Sequence, residues 1–176
     1  MSLEDMTPSC PAGVWYSPNW TLNLSVHASG PSLGETMKIT RSTVETTPGP
    51  ADWFTGSVFI DRLAVPSNLS ALGAASVHFT PGARTAWHTH PHGQTIWIAE
   101  GVGLCQREGG PIEVIRPGDC VFFEPGENHW HGATPTRFMT HIAMQLADET
   151  GSSVSWGRHV SEDEYNQAPG LEEGNN

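Results

Sequence analysis

Residues 88–94 read HTHPHGQ and residues 129–131 read HWH. Because alternate side chains on a β-strand face the same way, His88 and His90 point in one direction. The first stretch ends in an amide that follows a proline–glycine corner, and the second adds imidazoles from a distant part of the chain. Together they predict a mononuclear metal site formed by four side chains: His88, His90, Gln94 and His129.

The donor atoms of this set limit the metal that it can hold. Three imidazole nitrogens and one amide oxygen suit a divalent transition metal and do not suit calcium or magnesium. A neutral amide leaves the charge of the site near that of the cation, which makes the metal a stronger Lewis acid toward an anionic oxygen. We therefore expect one divalent transition metal as the cofactor, with Mn(II) and Fe(II) first among the candidates.

Composition places the chain among compact β-rich proteins. It has 176 residues, 37% of them hydrophobic, with 19 glycines and 14 prolines, a turn-rich mixture that favours short strands. No apolar run is long enough to span a membrane and no secretory signal is visible, so we expect a cytoplasmic protein. The net charge of -11 argues against nucleic acid as a partner. Three cysteines are too few for a disulfide framework and predict free, mostly buried thiols.

Three segments follow from the pattern along the chain. Residues 1–34 are rich in Pro, Ser, Gly and Asn and predict an extended N-terminal arm; residues 161–176 predict a short helix, opened by a capping box and running to about Gln167, and an acidic tail. Between them, turn signals about every ten residues indicate a β-barrel or sandwich of jelly-roll type over 35–160. The candidate strands are 37–44, 56–64, 73–80, 85–90, 94–100, 103–107, 112–115, 120–123, 128–132, 137–145 and 153–157.

The spacing of the later histidines predicts which way their side chains face. Residues 132–137 read GATPTR, a natural turn, so the flanking strands are expected to pair as a hairpin. Any even register would leave His129, His131 and His141 facing one side, with His141 opposite one of the other two. Trp87 and Trp130 alternate with the candidate ligands and should pack in the core on the other side.

These motifs resemble the two signatures of the cupin superfamily. The first signature appears as Gly82, His88, His90, Gln94 and Gly101, with glutamine where most members carry glutamate. The second appears as Gly118, Pro125-Gly126 and His129. The resemblance implies a single-domain cupin barrel with the four side chains named above as its metal ligands.

Further stretches resemble the small manganese-dependent hydroxynitrile-lyase-like cupins, and they are 49–56, 81–94, 106–110, 129–133 and 139–141. This likeness implies a small-molecule substrate, His141 as the catalytic base with His131 as a second catalytic candidate, and a pocket lined by Ala75, Val77 and Gln145. His92 stands at the rim of the pocket where leucine is usual. The arm has no counterpart in those compact proteins, and cupins with extra N-terminal strands often form homo-oligomers, here a dimer or tetramer.

The functional hypothesis is a lyase that cleaves a carbon–carbon bond next to a hydroxyl group. The metal would act as a Lewis acid, and a histidine would act as the general base. The alternatives are an O2-using dioxygenase or other oxidoreductase, and a dehydratase, isomerase or decarboxylase that tailors a small natural-product intermediate. A non-enzymatic metal-binding module is the remaining class.

Overall fold

Short β-strands make up most of the fold. The computed structural model describes Ile39 and residues 45–168. The strands are β1 Thr46–Pro48, β2 Phe54–Thr55, β3 Val58–Ala64, β4 Leu72–Phe79, β5 Arg84–Thr85, β6 His88–Thr89, β7 Gln94–Gly101, β8 Gly103–Arg107, β9 Glu113–Ile115, β10 Cys120–Phe123, β11 His129–Ala133, β12 Met139–Leu146 and β13 Ser155–Trp156, and a helix, α1, follows at Glu162–Tyr165.

The strands form two antiparallel sheets that curl around a common interior. The first sheet has six strands in the order β1-β3-β4-β12-β7-β10. The second has seven, with the path β13-β6-β11-β5-β2 and with β8 and β9 added beside β11. The predicted all-β jelly-roll barrel is therefore confirmed. The predicted arm at 1–34, the candidate strand 37–44 apart from Ile39, and residues 169–176 lie outside the described residues.

Two differences between the predicted and the observed strands have identifiable reasons. The candidate strand 85–90 is divided into β5 and β6, because the backbone N–H groups between them bond elsewhere: Ala86 donates to Trp53 and Trp87 donates to Arg158. Strands β1 and β2 were missed because they lie in a stretch rich in proline and glycine, which reads as turn. The break between β5 and β6 directly precedes the predicted ligand His88, and β2 pairs with β5, whereas β1 lies at the edge of the other sheet.

The predicted hairpin between β11 and β12 is wrong. Strand β11 pairs with β5, β6 and β8 of the seven-stranded sheet, whereas β12 pairs with β4 and β7 of the other sheet. The GATPTR segment crosses from one sheet to the other. His131 and His141 nevertheless face each other, because the two sheets enclose the same interior.

The apolar residues form two separate clusters. The larger one fills the space between the sheets and contains Phe54, Val58, Val77, Phe79, Ala83, Ile96, Ile98, Cys105, Ile115, Phe123, Ala133, Met139 and Ala143. The second cluster contains Trp87, Leu104, Ile112, Trp130, Val160 and Tyr165. The predicted burial of the two tryptophans is confirmed, in a cluster distinct from the one between the sheets. Both faces of β11 are therefore buried.

The C-terminal segment covers this second cluster. Ser161 and Glu164 form the predicted capping box at the start of α1, and the helix ends at Tyr165, slightly before the predicted end. The buried Arg84 side chain holds the helix to the barrel through a 2.7 Å ion pair with Glu162. The Tyr165 hydroxyl donates a 2.7 Å hydrogen bond to the carbonyl of Ala133.

Two of the cysteines lie in the described part of the chain. Both are free thiols; Cys105 is buried as expected, but Cys120 is exposed. Burial raises the pKa of the Cys105 thiol to about 12, which keeps it protonated. Within the same residues, no helix combines the length and the apolar character that crossing a membrane requires.

Candidate metal centre and active site

The strand arrangement brings the predicted ligands together from both sheets. His129 on β11 is the direct partner of His88 on the neighbouring strand β6. Gln94 opens β7 in the opposite sheet, after a corner at Gly93 whose φ is +77°. A Cβ at this glycine would lie 2.6 Å from the carbonyl oxygen of Phe123, so both the conformation and the close contact require glycine. Folding therefore brings residues 88–94 and His129 together at the predicted site.

Three imidazoles form a compact group among the described residues. One ring nitrogen from each of His88, His129 and His131 lies within 4.8 Å of the others, and all three residues are buried. His90 lies beside this group, with its ring centroid 5.1 Å from that of His88 and 5.5 Å from that of His129. His90 is therefore outside the group of three but next to two of its members, and the hydrogen bonds of the four rings help to choose between His90 and His131 as a ligand.

Those hydrogen bonds distinguish three of the four histidines. Nδ1 lies 2.9 Å from the Ala86 carbonyl oxygen in His88, 2.5 Å from that of Ser153 in His90 and 2.8 Å from that of Glu127 in His129. A carbonyl oxygen only accepts, so each Nδ1 must carry the proton and each Nε2 must present a lone pair. Metal-binding histidines are commonly oriented by this kind of contact.

The side-chain oxygen of Gln94 lies close to two of these histidines, His129 and His131. Its Oε1 is 3.3 Å from Nε2 of His129 and 3.2 Å from Nε2 of His131. Because Nε2 of His129 presents a lone pair, that nitrogen and the amide oxygen are two acceptors facing each other, an arrangement that a cation would stabilise. The amide nitrogen of Gln94 faces Oε1 of Gln145 at 3.4 Å.

His131 and His141 form a separate pair. Nε2 of His141 lies 3.3 Å from Nδ1 of His131, and Nδ1 of His141 is buried with no hydrogen-bond partner among the described residues. Two arrangements of protons are consistent with this contact. If Nε2 of His141 donates, then His131 must carry its proton on Nε2 and donate to Gln94. If Nδ1 of His131 donates, then His131 presents the lone pair of Nε2 to the cluster.

Burial keeps the histidines of this cluster neutral. Burial lowers the pKa of His88 and of His131 well below the ordinary value, and neighbouring histidines lower both further. Burial also lowers the pKa of His90, brings that of His129 to about 4 and brings that of His141 to about 3. Neutral imidazoles can bind a metal or accept a proton, whereas imidazolium can do neither.

These donors fit a divalent transition metal. Nε2 of His90 is a buried lone pair with no hydrogen-bond partner among the described residues, and His88 and His129 have ring nitrogens within 4.8 Å of each other. Imidazole nitrogens with one amide oxygen form a set that such metals accept, although the set does not choose among them. His88, His90, Gln94 and His129 could hold the metal, and His131 is an alternative ligand only in the second proton arrangement.

A cavity of about 150 Å³ adjoins the histidines. Ala75, Val77 and Gln145 line it, together with His88, His90, Gln94, His131 and His141. His92 is exposed and is absent from the lining. A largely apolar cavity of roughly this volume accommodates a molecule the size of benzene.

Sequence reasoning missed one wall of the cavity. Trp53, Phe54 and Trp156 line it, and the rings of Trp53 and Trp156 stack at 5.3 Å with a 7° interplanar angle. Trp156 reaches the site because it is the strand partner of His88. No motif spacing links residue 156 to residue 88, so only knowledge of this pairing could have identified it.

Comparison with known proteins places these features in a family. Residues 75–142 match the family model described as a cupin domain. The chain is 56% identical over 117 residues to an (R)-mandelonitrile lyase of Granulicella tundricola, a match that covers 66% of this chain and 88% of that protein. The relative is thus matched over most of its length, and about a third of this chain lies outside the match.

Solved structures agree with this placement. A cupin-like protein from Thermotoga maritima superposes with a TM-score of 0.66 at 35% identity, covering 73% of this chain and 95% of that one. The polyketide cyclase RemF from Streptomyces resistomycificus superposes with a TM-score of 0.53 at 19% identity, covering 75% and 92%. At the latter identity the two proteins share the fold alone.

Proposed function

Because this chain belongs to the cupin family, we propose that it is a metal-dependent lyase that cleaves the carbon–carbon bond of a cyanohydrin. The observation that carries the proposal is an apolar cavity with a wall of neutral imidazoles, one of which, His141, has a buried nitrogen with no partner among the described residues. The 56% identical relative named (R)-mandelonitrile lyase supports the same substrate class. The cavity volume suits a substrate with one small aromatic or aliphatic group.

The proposed ligands are His88, His90, Gln94 and His129. A divalent cation held by them would supply Lewis-acid stabilisation of negative charge on the substrate. The three imidazoles among them share the feature that Nδ1 donates to a backbone carbonyl, which His131 lacks. This difference favours His131 as a neighbour of the centre and not as a ligand.

In the proposed reaction, His141 removes the hydroxyl proton. The first proton arrangement leaves the lone pair of Nδ1 free, with His141 donating to His131 and His131 donating to Gln94. As the proton moves to Nδ1, the oxygen forms a carbonyl and the electrons of the carbon–carbon bond leave with cyanide. Cyanide then takes the proton from His141, so the products are hydrogen cyanide and an aldehyde or ketone.

The environment of His141 sets the strength of this base. Burial lowers its pKa to about 3, so the ring is neutral at physiological pH but is a weak base. The departing cyanide is an anion, and a nearby anion raises the pKa of an imidazolium. Proton transfer and bond cleavage therefore favour each other in the same cavity.

Metal analysis followed by an oxygen-controlled assay tests the proposal. We expect the purified protein to contain about one transition metal per chain and to release cyanide from mandelonitrile at equal rates in air and under anaerobic conditions. Extensive dialysis against a strong chelator should abolish the activity, and the same metal should restore it. Turnover that requires O2 would instead support the oxidoreductase alternative, and absence of cyanide release by the metal-loaded protein would exclude the lyase.

A further inference from the structure

Unpartnered polar atoms are concentrated at the cavity. Five buried side-chain nitrogens or oxygens in the described part of the chain have no hydrogen-bond partner: Arg84 Nε, Trp87 Nε1, His90 Nε2, His141 Nδ1 and Trp156 Nε1. The last three belong to residues that line the cavity, and the first two do not. Buried polar atoms are ordinarily paired, and leaving one unpaired is unfavourable. The three cavity residues therefore indicate what a ligand must offer.

The three atoms differ in chemistry. His90 Nε2 presents a lone pair to the proposed metal, and His141 Nδ1 presents one to the substrate hydroxyl. Trp156 Nε1 carries a hydrogen and can only donate. A cyanohydrin offers a hydroxyl at one end and a nitrile nitrogen, which is an acceptor, at the other. We propose that the Trp156 indole N–H donates a hydrogen bond to the nitrile nitrogen of the substrate and to the departing cyanide.

The surroundings of Trp156 hold its ring in a fixed orientation. The ring stacks on Trp53, lies edge-on to Phe54 at 5.7 Å, and packs against His88 at 4.8 Å. Its strand, β13, pairs with β6, so the ring is tied to the strand that carries a proposed ligand. A donor fixed before the reaction stabilises developing charge without the cost of reorganisation.

Trp156 and the proposed base His141 also lie on different strands that belong to different sheets. Trp156 belongs to the seven-stranded sheet and His141 belongs to the six-stranded sheet. In the proposal, the substrate hydroxyl and the leaving cyanide therefore contact side chains from different sheets. Thr85 and Gln145 also carry donors: the Thr85 hydroxyl, whose oxygen accepts from the His131 amide, and Nε2 of Gln145, whose Oε1 accepts from Gln94. Trp156 differs from both because its donor, Nε1, is buried and has no hydrogen-bond partner within the described part of the chain.

Replacement of the indole by a ring without N–H tests the donor, and this inference rests on the proposed function. For Trp156→Phe we expect kcat for mandelonitrile cleavage to fall roughly 10- to 100-fold, the range typical of one hydrogen bond to a charged group, while KM and metal content change little. Trp87→Phe is the matched control, because Trp87 Nε1 is also buried and unpartnered but lies in the second cluster. That variant should keep kcat within about twofold, since an oxyanion-type donor affects rate only when it meets the reacting atoms.

A binding measurement separates this inference from the proposed lyase activity. The zinc-loaded protein, labelled with ¹⁵N, is titrated with phenylacetonitrile, which has a nitrile but no hydroxyl, and with ethylbenzene, which has neither. The two phenylalanine variants assign the indole signals. We expect phenylacetonitrile alone to move the Trp156 indole proton downfield, with the Trp87 signal unchanged.

The outcomes distinguish the two proposals. A nitrile-specific shift in a protein that releases no cyanide would support the donor and reject the lyase. The wild-type protein could release cyanide while Trp156→Phe keeps full activity and phenylacetonitrile causes no specific shift. That result would reject Trp156 as the donor but would remain consistent with the lyase. An equal shift with both compounds would also overturn the inference, because it would reflect ring packing and not a hydrogen bond.

Discussion

The two faces of β11 serve different purposes. On its inner face, His129 and His131 belong to a group of imidazoles beside a cavity, where His90, His141 and Trp156 have nitrogens without a hydrogen-bond partner in the described part of the chain. On its outer face, Trp130 is completely buried and donates a 2.8 Å hydrogen bond to Gln106. Tyr165 in the same outer cluster also has its partner, although Trp87 does not.

This difference shows how one strand can stabilise the fold with one face and contribute to the proposed active site with the other. Polar atoms of the outer cluster are mostly paired and its side chains fill space, which stabilises the fold. Polar atoms of the inner face are left available for a metal and a substrate, at a cost to stability. Substitutions of adjacent residues should therefore affect different properties of the protein.

His129→Ala should have the largest effect, which is a loss of both metal and activity. The variant removes one proposed ligand from the inner face, so we expect the remaining donors to bind the cation much more weakly. Metal analysis of the purified variant should find well under one metal per chain, with cyanide release undetectable. Stoichiometric metal in this variant would contradict the ligand role.

His141→Ala should lose turnover while keeping its metal. General base catalysis typically contributes about 10²- to 10⁴-fold, so kcat should fall by a factor in that range. Metal analysis and kinetics on the same preparation check both parts of the expectation. A variant that turns over at the wild-type rate would show that another group accepts the proton.

Acid should destabilise the metal-free protein steeply. Burial lowers the pKa of His88, His90, His129, His131 and His141 below 6.5. Below pH 6.5 the unfolded chain takes up protons that the folded chain refuses, so stability falls as the pH falls. Each such histidine contributes at most about 1.36 kcal/mol per pH unit. Urea unfolding of the apoprotein at pH 7.0, 6.0 and 5.0 measures the slope; a flat profile would mean that these rings titrate normally.

Trp130→Ala should act on the opposite side of the same strand. Removing a fully buried tryptophan typically lowers the free energy of unfolding by about 3–5 kcal/mol, and it leaves Gln106 without its donor. Urea unfolding measures this loss. The folded fraction should still bind metal stoichiometrically, and loss of metal from well-folded protein would break the separation between the two faces.

Tyr165→Phe should give the smallest effect. The substitution keeps the ring in the outer cluster and removes only the hydroxyl that bonds to the Ala133 carbonyl. We expect a loss of about 1 kcal/mol in the free energy of unfolding, with kcat unchanged. A change in kcat would show that the two faces are coupled through the backbone of β11.

Local patterns identified much of the site because strand geometry is regular. The spacing of His88, His90 and Gln94 predicted a shared direction, and the structure brings these side chains together with His129. The expectation for His141 was correct about its proximity to His131 but wrong about the strand pairing, because its strand pairs with β4 and β7 in the other sheet. The register of distant strands depends on packing and loop geometry, which short-range patterns do not encode.

The sequence by itself determined the barrel class and the candidate ligand set. Turn residues and two-residue alternation are local properties, and three imidazoles at motif spacing rarely arise in a core for packing alone. The tertiary structure decided which imidazoles donate to backbone carbonyls, that His131 faces His141, and that Trp156 enters the cavity. These features depend on contacts between segments far apart in the chain, and such contacts exist only after the two sheets have closed around their common interior.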